Sequence, residues 1–358
     1  MVNKKPTVID MFCGCGGLSR GFMDAGYEVL LGIDNNEHAL KSFQENHGEA
    51  VALNGDLFQG STILQMASLT NNKSVDIIIG GPPCQGFSLT GKREENDERN
   101  TLFQAMVDAV EFFQPKAFVL ENVPGLATLY KGKAKDAIYK EFSNLGYTIT
   151  DKVLYAPDYG VPQIRKRIFF IGLLNGQEFE FPEPLLKPEN YVGCEAAIGD
   201  LHDFTDDLGS ETAEYRYSAQ TSYQKKMRKD SERLFNHVGT KHTKLVKDVI
   251  SQVPEGGNYK DLPPGVGESR KFNEAWTRYH SQKPSKTIDT GHRNHFHYKF
   301  HRVPTVRENA RLQSFSDDFV FKGNKTQQYK QVGNAVPPLL GYVLGKQLKA
   351  YIGEKNEN

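Results

Sequence analysis

The chain has 358 residues, 38% of them hydrophobic, and its 44 Lys and Arg are balanced by 44 Asp and Glu. That length allows one large domain plus a smaller one, and no apolar stretch is long enough to span a membrane, so a transmembrane helix is excluded. Zero net charge excludes nucleic-acid binding announced by overall charge, and four scattered cysteines (Cys13, Cys15, Cys84, Cys194) with no secretory segment point to a reducing cytoplasm rather than to disulfides.

Pro6–Phe12 reads as a strand, followed by the glycine-rich turn Cys13–Gly17 and a helix from Leu18 to Ala25. A glycine turn between a first strand and a helix lets a ligand approach the backbone closely. The strict dinucleotide fingerprint is not met, because Gly17 directly follows Gly16. A second strand, Glu28–Ile33, ends in Asp34, and a third, Ala50–Leu53, leads to Asp56. Asp10, Asp34 and Asp56 thus mark the carboxyl ends of successive strands, a spacing suited to a nucleoside cofactor with few phosphates. Helix capping by aspartate is the plainer alternative.

Helices are expected at Glu37–Asn46, Thr101–Phe113 and Lys135–Leu145, and strands at Ile77–Ile79, Phe118–Leu120, Tyr147–Leu154 and Ile168–Leu173. Alternation of this kind predicts an α/β sheet with helices on both faces, its last strands pairing partly antiparallel. The run ending at Ile79 stops at Gly80-Gly81-Pro82-Pro83-Cys84-Gln85, which presents Cys84 on a stiff loop at a strand's carboxyl end. A thiol there is a candidate nucleophile; a buried structural cysteine is the alternative.

These blocks, taken with Arg99–Phe103, Glu121-Asn122-Val123, Gln163–Arg167, Arg307–Gln313 and Gln331–Pro337, resemble those of bacterial DNA (cytosine-5) methyltransferases, in the same order. The resemblance implies a Rossmann-like methyltransferase sheet plus a smaller target-recognition domain. The catalytic domain would comprise 1–181 and 326–358 and the recognition domain 182–325. It implies S-adenosylmethionine as cofactor, S-adenosylhomocysteine as product, and no metal.

The same resemblance makes Cys84 the nucleophile that adds to carbon 6 of cytosine, so that carbon 5 can attack a methyl group. Glu121 would supply a proton or donor at ring nitrogen 3, and Arg165 and Arg167 would serve the flipped base, its phosphate and the glutamate. Phe12 would pack on the adenine, or simply be core. Gly14, Gly16 and Gly17 would meet the methionine end, Asp34 the ribose and Asp56 the adenine amino group, with Leu57, Pro82, Leu102, Asn334 and Ala335 also on the cofactor side. Many family members carry glutamate where this chain has Asp34, so an adjusted ribose contact is expected.

The partner implied is double-stranded DNA. From Tyr215 to Val303 there are 18 Lys and Arg against 8 Asp and Glu, and most of the histidines. Such a region fits phosphate contacts, or a solvated lysine-rich surface. Candidate DNA-contacting residues are Gln85, then Ser88, Lys92, Arg93 and Arg99 in the loop Ser88–Arg99 expected to act as a lid, Gln163, the threonine-plus-aliphatic pair Thr287-Ile288, and Arg293 and Asn294. His295 and His297 lack a completing cysteine or carboxylate, so a metal is not expected. Phe181–Pro184 and the acidic stretch Asp200–Glu214 read as a linker or crossing surface.

A cytoplasmic, bacterial monomer is expected, working as the modification half of a restriction–modification system, with a cognate endonuclease that forms no stable complex, or as an orphan methylase. Three rival readings remain at this point: a transfer-RNA cytosine-5 methyltransferase, a nicotinamide-dependent oxidoreductase, and a catalytically inert DNA-binding paralogue.

Overall fold

β-Branched and aliphatic runs that end in glycine, aspartate or asparagine build the sheet of this protein. The computed structural model describes residues 4–57, 59–71, 73–83, 101–204, 207–266, 276–291 and 294–353, with only the backbone at 101, 102 and 130. Seven strands, β1 (Thr7–Met11), β2 (Glu28–Asp34), β3 (Val51–Asn54), β4 (Ile77–Gly80), β5 (Ala117–Asn122), β6 (Thr148–Tyr155) and β7 (Lys166–Leu173), form one sheet in the order β3-β2-β1-β4-β5-β7-β6.

The first five strands are parallel, whereas β7 runs antiparallel to both β5 and β6. Strand order reverses between β1 and β4, which are hydrogen-bonded neighbours pairing Met11 with Gly80. In an open α/β sheet the crevice outside the carboxyl ends at such a reversal is where ligands bind.

Period-two alternation decides which helices cover which face. Ile9 and Met11 of β1 point into a core built with Met66 of α3 (Ser61–Leu69), Phe103 to Val110 of α4 (Thr101–Phe113) and Ile138 and Phe142 of α5 (Lys133–Asn144). On the opposite face Asp10 meets Ser19 of α1 (Gly17–Asp24), and Gly32 of β2 leaves room for Phe43 of α2 (Glu37–Asn46). A Cβ at Gly32 would sit 2.3 Å from the Phe43 ring.

The carboxyl-terminal helix, Pro338–Ile352, lies against α1. A Cβ at Gly21 would stand 2.2 Å from the Pro338 carbonyl oxygen, and one at Gly341 would stand 2.6 Å from that of Leu18. The small residues therefore set how closely the two backbones approach, and Tyr27 ties the contact by donating to the Gly345 carbonyl at 2.9 Å.

The chain divides into two compact units, one of 1–155, 166–183 and 338–358, the other of 156–165 and 184–337. The packing boundaries fall at 183/184 and 337/338 rather than 181/182 and 325/326, because the helix Lys325–Asn334 packs within the second unit. There Tyr329 donates to the Pro304 carbonyl at 2.6 Å and Gln331 to that of Lys322 at 2.9 Å.

The second unit is organised by buried charge. Among the described residues its helices are α6 (Cys194–Ile198), α7 (Ser222–Arg228), α8 (Lys244–Gln252), α9 (Val306–Leu312) and α10 (Lys325–Asn334), which makes the carboxyl-terminal helix α11, and its described strands are two residues each. Arg307 and Arg311 of α9 are fully buried. Arg307 donates to the carbonyls of Phe235 and Ser316, both at 2.9 Å, and to that of Phe319. Arg311 grips Asp317 with two nitrogens, at 2.8 and 2.7 Å, and also reaches Asp200. Arg302 holds Glu308 in the same forked manner at 2.8 and 2.7 Å. Burial alone would raise the Glu308 carboxyl, but the Arg302 guanidinium outweighs it and holds the group well below the usual carboxylate range.

Asp200 and Asp203 are thus built into this unit, Asp203 accepting from Arg302 at 2.8 Å, and at these positions the acidic stretch is not a linker.

Candidate active site

Most of the sequence-predicted cofactor residues of the first unit lie at or just after the carboxyl ends of β1 to β4. After β1 the chain turns sharply: Phe12, Gly14 and Gly16 have φ of 56°, 55° and 89°. Glycine is required at Gly16, because a Cβ there would lie 2.2 Å from Cε1 of His47 as well as being strained by its positive φ. His47 is fixed by stacking on Phe43, with ring centroids 4.0 Å apart, and by a 2.9 Å contact from Nδ1 to the Phe43 carbonyl. Since a carbonyl only accepts, Nδ1 carries the proton. Burial pushes the imidazole down to about 4, so at neutral pH it is uncharged.

Asp34 closes the turn from the end of β2. One carboxylate oxygen accepts from the Gly14 N–H at 2.8 Å and the other from the Asn36 N–H at 2.9 Å. Each oxygen keeps further acceptor capacity. Phe12 and Leu57 are partly buried against the core, and Asp56 is exposed after β3. Gly17 is buried at the start of α1. Asp10 lies beneath the turn, almost wholly buried, with Oδ2 lacking a hydrogen-bond partner. Its burial, reinforced by the charge of Asp34 and opposed by Ser19, pushes the carboxyl up to about 7.

At the next strand ends lie the residues predicted for chemistry. Glu121 is the fifth of six residues of β5 and pairs in register with Phe169 of β7. Because β7 runs the opposite way, its first residues lie beside the last residues of β5. Arg167 Nε consequently sits 2.8 Å from Glu121 Oε1. The segment after β4 is tied to the same place. Asn122 donates to the Pro82 carbonyl at 2.8 Å, and a Cβ at Gly81 would be 2.8 Å from Glu121 Oε2. Pro82 is buried and Pro83 exposed, directly before Cys84.

Cys84, Gln85, Ser88, Lys92, Arg93, Arg99 and Arg293 lie outside the described residues, as does the side chain of Leu102.

The second unit holds the remaining predicted residues. Arg165 is buried and donates to the carbonyls of Gly333 and Ala335, at 3.2 and 3.0 Å. Asn334 is exposed at the end of α10. Gln163 is fully buried; its amide donates to Gln313 and its oxygen accepts from the Ile288 N–H at 3.1 Å. Thr287 is exposed, yet its hydroxyl donates to the Ile164 carbonyl at 2.6 Å. Ile288 is 2% exposed. Gln163 and Ile288 therefore brace the segment that carries Thr287. Asn294 donates to Asp289.

His297 turns inward, its Nδ1 accepting from the N–H groups of Lys299 and Phe300 at 3.0 and 3.1 Å. Among the described residues no group of three or more His, Cys, Asp or Glu is placed to hold a metal.

Sequence reading did not assign a role to Arg307 or Arg311. The available signal was the capping-box spacing Thr305-Val306-Arg307-Glu308, which starts α9 and commits the block to a buried helix. Part of the positive excess between Tyr215 and Val303 is also internal, since Arg278 and Arg302 are buried.

A family model described as C-5 cytosine-specific DNA methylase matches residues 6–350. The type II methyltransferase M1.HphI of Haemophilus parahaemolyticus is 40% identical over 347 residues, covering 95% of this chain and 86% of its own. The type II methyltransferase M.DdeI of Desulfomicrobium norvegicum is 38% identical over 378 residues, covering 98% and 90%. Among solved structures, a prophage-encoded E. coli protein described as a DNA modification methyltransferase superposes with a TM-score of 0.80 at 27% identity, over 98% of this chain and all of that one. The S. pombe Dnmt2 methyltransferase, at 16% identity, shares the fold with a TM-score of 0.64 over 97% and 99% of the two chains.

Proposed function

Because this chain belongs to the C-5 cytosine-specific DNA methylases and is a DNA cytosine-5 methyltransferase, we propose that it methylates a flipped-out cytosine within a short duplex sequence through a covalent Cys84 adduct. The observation that carries this reading is the junction of Glu121, Arg167 and the Pro82 backbone at the ends of β4, β5 and β7. It gathers a carboxyl group, a fixed guanidinium and the chain entering the nucleophile, which is the set this reaction requires.

In this reading Cys84 thiolate adds to carbon 6 of cytosine while Glu121, as the acid, gives a proton at nitrogen 3. Electron density gathers on carbon 5, which takes the methyl group. Return of the nitrogen 3 proton to Glu121, loss of the carbon 5 proton to solvent and departure of the thiolate then restore the ring. Arg167 keeps Glu121 directed at the base. Arg165 holds the carbonyls of Gly333 and Ala335, next to Asn334.

The turn fits an adenosine-bearing cofactor. Asp34 keeps lone pairs for ribose hydroxyls while tying down Gly14, Gly16 clears the backbone, and Phe12 and Leu57 present apolar surface for an adenine whose amino group Asp56 accepts. S-adenosylmethionine, when bound, supplies a methyl group made electrophilic by its sulfonium, and leaves as S-adenosylhomocysteine.

The first unit is the catalytic domain and the second reads the target. The protein works as a cytoplasmic monomer, as the modification partner of a restriction endonuclease with which it forms no stable complex. Its similarity to two type II methyltransferases supports that setting.

Base-resolution bisulfite sequencing of mixed-sequence duplex DNA, after incubation with the protein and S-adenosylmethionine, tests the reading. Protected cytosines within one short motif are expected, and none with Cys84→Ala. Protection that persists in Cys84→Ala overturns the covalent route. Absence of protection with folded, cofactor-binding wild type overturns the duplex substrate.

A further inference from the structure

Two buried glutamines join the segment that carries Thr287 to the segment that carries Asn334. Gln163 and Gln313 are both fully buried. The Ile288 N–H can only donate, so the oxygen of Gln163 receives it, at 3.1 Å, and the NH₂ end of that amide points the other way. It donates to the oxygen of Gln313 and, at 3.4 Å, to the Leu312 carbonyl. The Gln313 NH₂ in turn donates to the Ala335 carbonyl at 2.5 Å. Turning either amide over would set donor against donor at one end and oxygen against oxygen at the other. The direction of the path is therefore fixed, from the Ile288 N–H to the Ala335 carbonyl. We infer, on the reading that Thr287 meets DNA and Asn334 the cofactor, that Gln163 and Gln313 are positioning residues that couple the two ligands, so that engagement of the target tightens the grip on the cofactor.

A second link, independent of the amides, joins the same two segments. Gly333, near the end of α10, lies against the backbone that follows Ile288. A Cβ there would stand 2.3 Å from the Asp289 carbonyl oxygen and 2.8 Å from the Thr290 nitrogen. Both are backbone atoms, so no side chain can turn aside to make room, and the approach needs glycine. At its other end the Thr287 segment is sewn to the chain that carries Gln163. The Ile164 N–H donates to the Ser285 carbonyl at 2.8 Å, the Ser285 N–H to the Pro162 carbonyl at 3.0 Å, and the Thr287 hydroxyl to the Ile164 carbonyl at 2.6 Å. Arg165, on that same chain, holds the carbonyls of Gly333 and Ala335. Every member of the path belongs to the second unit.

A buried hydrogen-bonded path in which each side-chain polar atom has its partner is rigid, and withdrawing one partner exposes the other to its full desolvation cost. Residues 285–290 and 333–335 therefore shift together or not at all. A ligand that orders one end removes freedom from the other, and the second ligand then meets a smaller ordering cost. Such a coupling is reciprocal: each ligand raises the affinity for the other by the same factor.

Titration of S-adenosylhomocysteine into the protein alone, and into the protein on a duplex carrying the motif found by bisulfite sequencing, measures the coupling without turnover. In wild type the affinity on DNA should exceed that of the free protein by about 5- to 150-fold. Gln313→Met keeps the length of the side chain but cannot donate to Ala335, and Gln163→Met removes both of its links; each should abolish the difference between the two affinities. Gly333→Ala should do the same by forcing the backbones apart. Tyr223→Phe removes a 2.6 Å hydrogen bond to the Arg311 carbonyl, in the helix that leads to Gln313 but off the path, and should leave the difference intact. A merely structural role for the glutamines would change both affinities alike and preserve their ratio.

Equal affinities with and without DNA in the wild type would overturn the inference, and that result needs no variant to fold. A wild-type ratio retained in both Gln313→Met and Gly333→Ala would overturn it equally. Failure of the wild type to methylate duplex DNA would refute the functional reading, and the coupling with it, whereas methylation by an uncoupled wild type would refute the coupling alone.

Discussion

Arg167 reaches Glu121, its Nε 2.8 Å from Oε1, because β5 and β7 run in opposite directions. In an all-parallel sheet the first residues of β7 would lie at the far end of β5. The reversed strand brings a guanidinium from 46 positions further along the chain to the carboxyl end of the sheet, where the other site residues gather.

Removing that guanidinium should slow chemistry more than it weakens binding. Arg167→Ala is expected to lower kcat with little change in affinity for S-adenosylhomocysteine. Arg167→Lys should not rescue it fully, since an ammonium cannot reproduce the planar contact. Glu121→Gln, which cannot release a proton, should cost roughly 10²- to 10⁴-fold in kcat. Single-turnover methylation set beside cofactor titration checks all three.

Asp34 anchors two backbone N–H groups, so its loss should be felt at the cofactor. Asp34→Ala should weaken S-adenosylhomocysteine binding by about 1.5–3 kcal/mol, the range for a charge-assisted hydrogen bond. Calorimetric titration reads this directly. Affinity equal to that of wild type would remove Asp34 from the cofactor site.

Gly16→Ala combines a left-handed φ with a Cβ driven into His47. Destabilisation of about 2–4 kcal/mol is expected from backbone strain and overpacking together. Denaturant unfolding measures it, and Gly48→Ala, where the φ is also positive but no atom lies within 4 Å, isolates the packing share.

Arg311→Ala leaves the buried carboxylates of Asp317 and Asp200 without their forked partner. A loss of about 3–5 kcal/mol is expected, read by chemical denaturation. An equally large effect on DNA affinity in protein that remains folded would contradict the purely structural role.

Asp10 makes stability depend on pH. The folded protein keeps its proton up to about 7, whereas an unfolded chain releases it near 4. The folded state therefore binds more protons in that window, and stability falls as pH rises from about 4 to 7. Asp10→Asn removes this loss, so its Tm should climb relative to wild type across the same range. A Tm difference independent of pH would rule the linkage out.

The sheet was legible because its signals are local. Branched apolar runs closed by Gly80-Gly81, by Asp34 or by Glu121-Asn122 mark strand ends, and a site at strand ends follows. The second unit was less legible because its fold inverts the usual reading of charge. Arg307, Arg311 and Gln163 look like surface residues in one dimension, yet each is buried and tied to internal partners, Arg307 to carbonyls, Arg311 to Asp317 and Asp200, and Gln163 to Gln313 and the Ile288 N–H. Only the partners, Asp317, Asp200 and Gln313, reveal this, and they are distant in sequence or unremarkable in type. For the same reason a positive excess counted along the chain overstates the charge that faces solvent.

The contact between Gly21 of α1 and the Pro338 end of α11 bears on how the protein is made. A ribosome releases residues 184–337 before α11 exists, so the second unit can finish folding while α1, which begins at the glycine turn Cys13–Gly17, still lacks its cover. Newly made protein thus gains its support for methyl transfer only when the last fifteen-residue helix emerges. A stop codon in place of Pro338 would yield a chain that keeps the whole second unit and cannot complete the first.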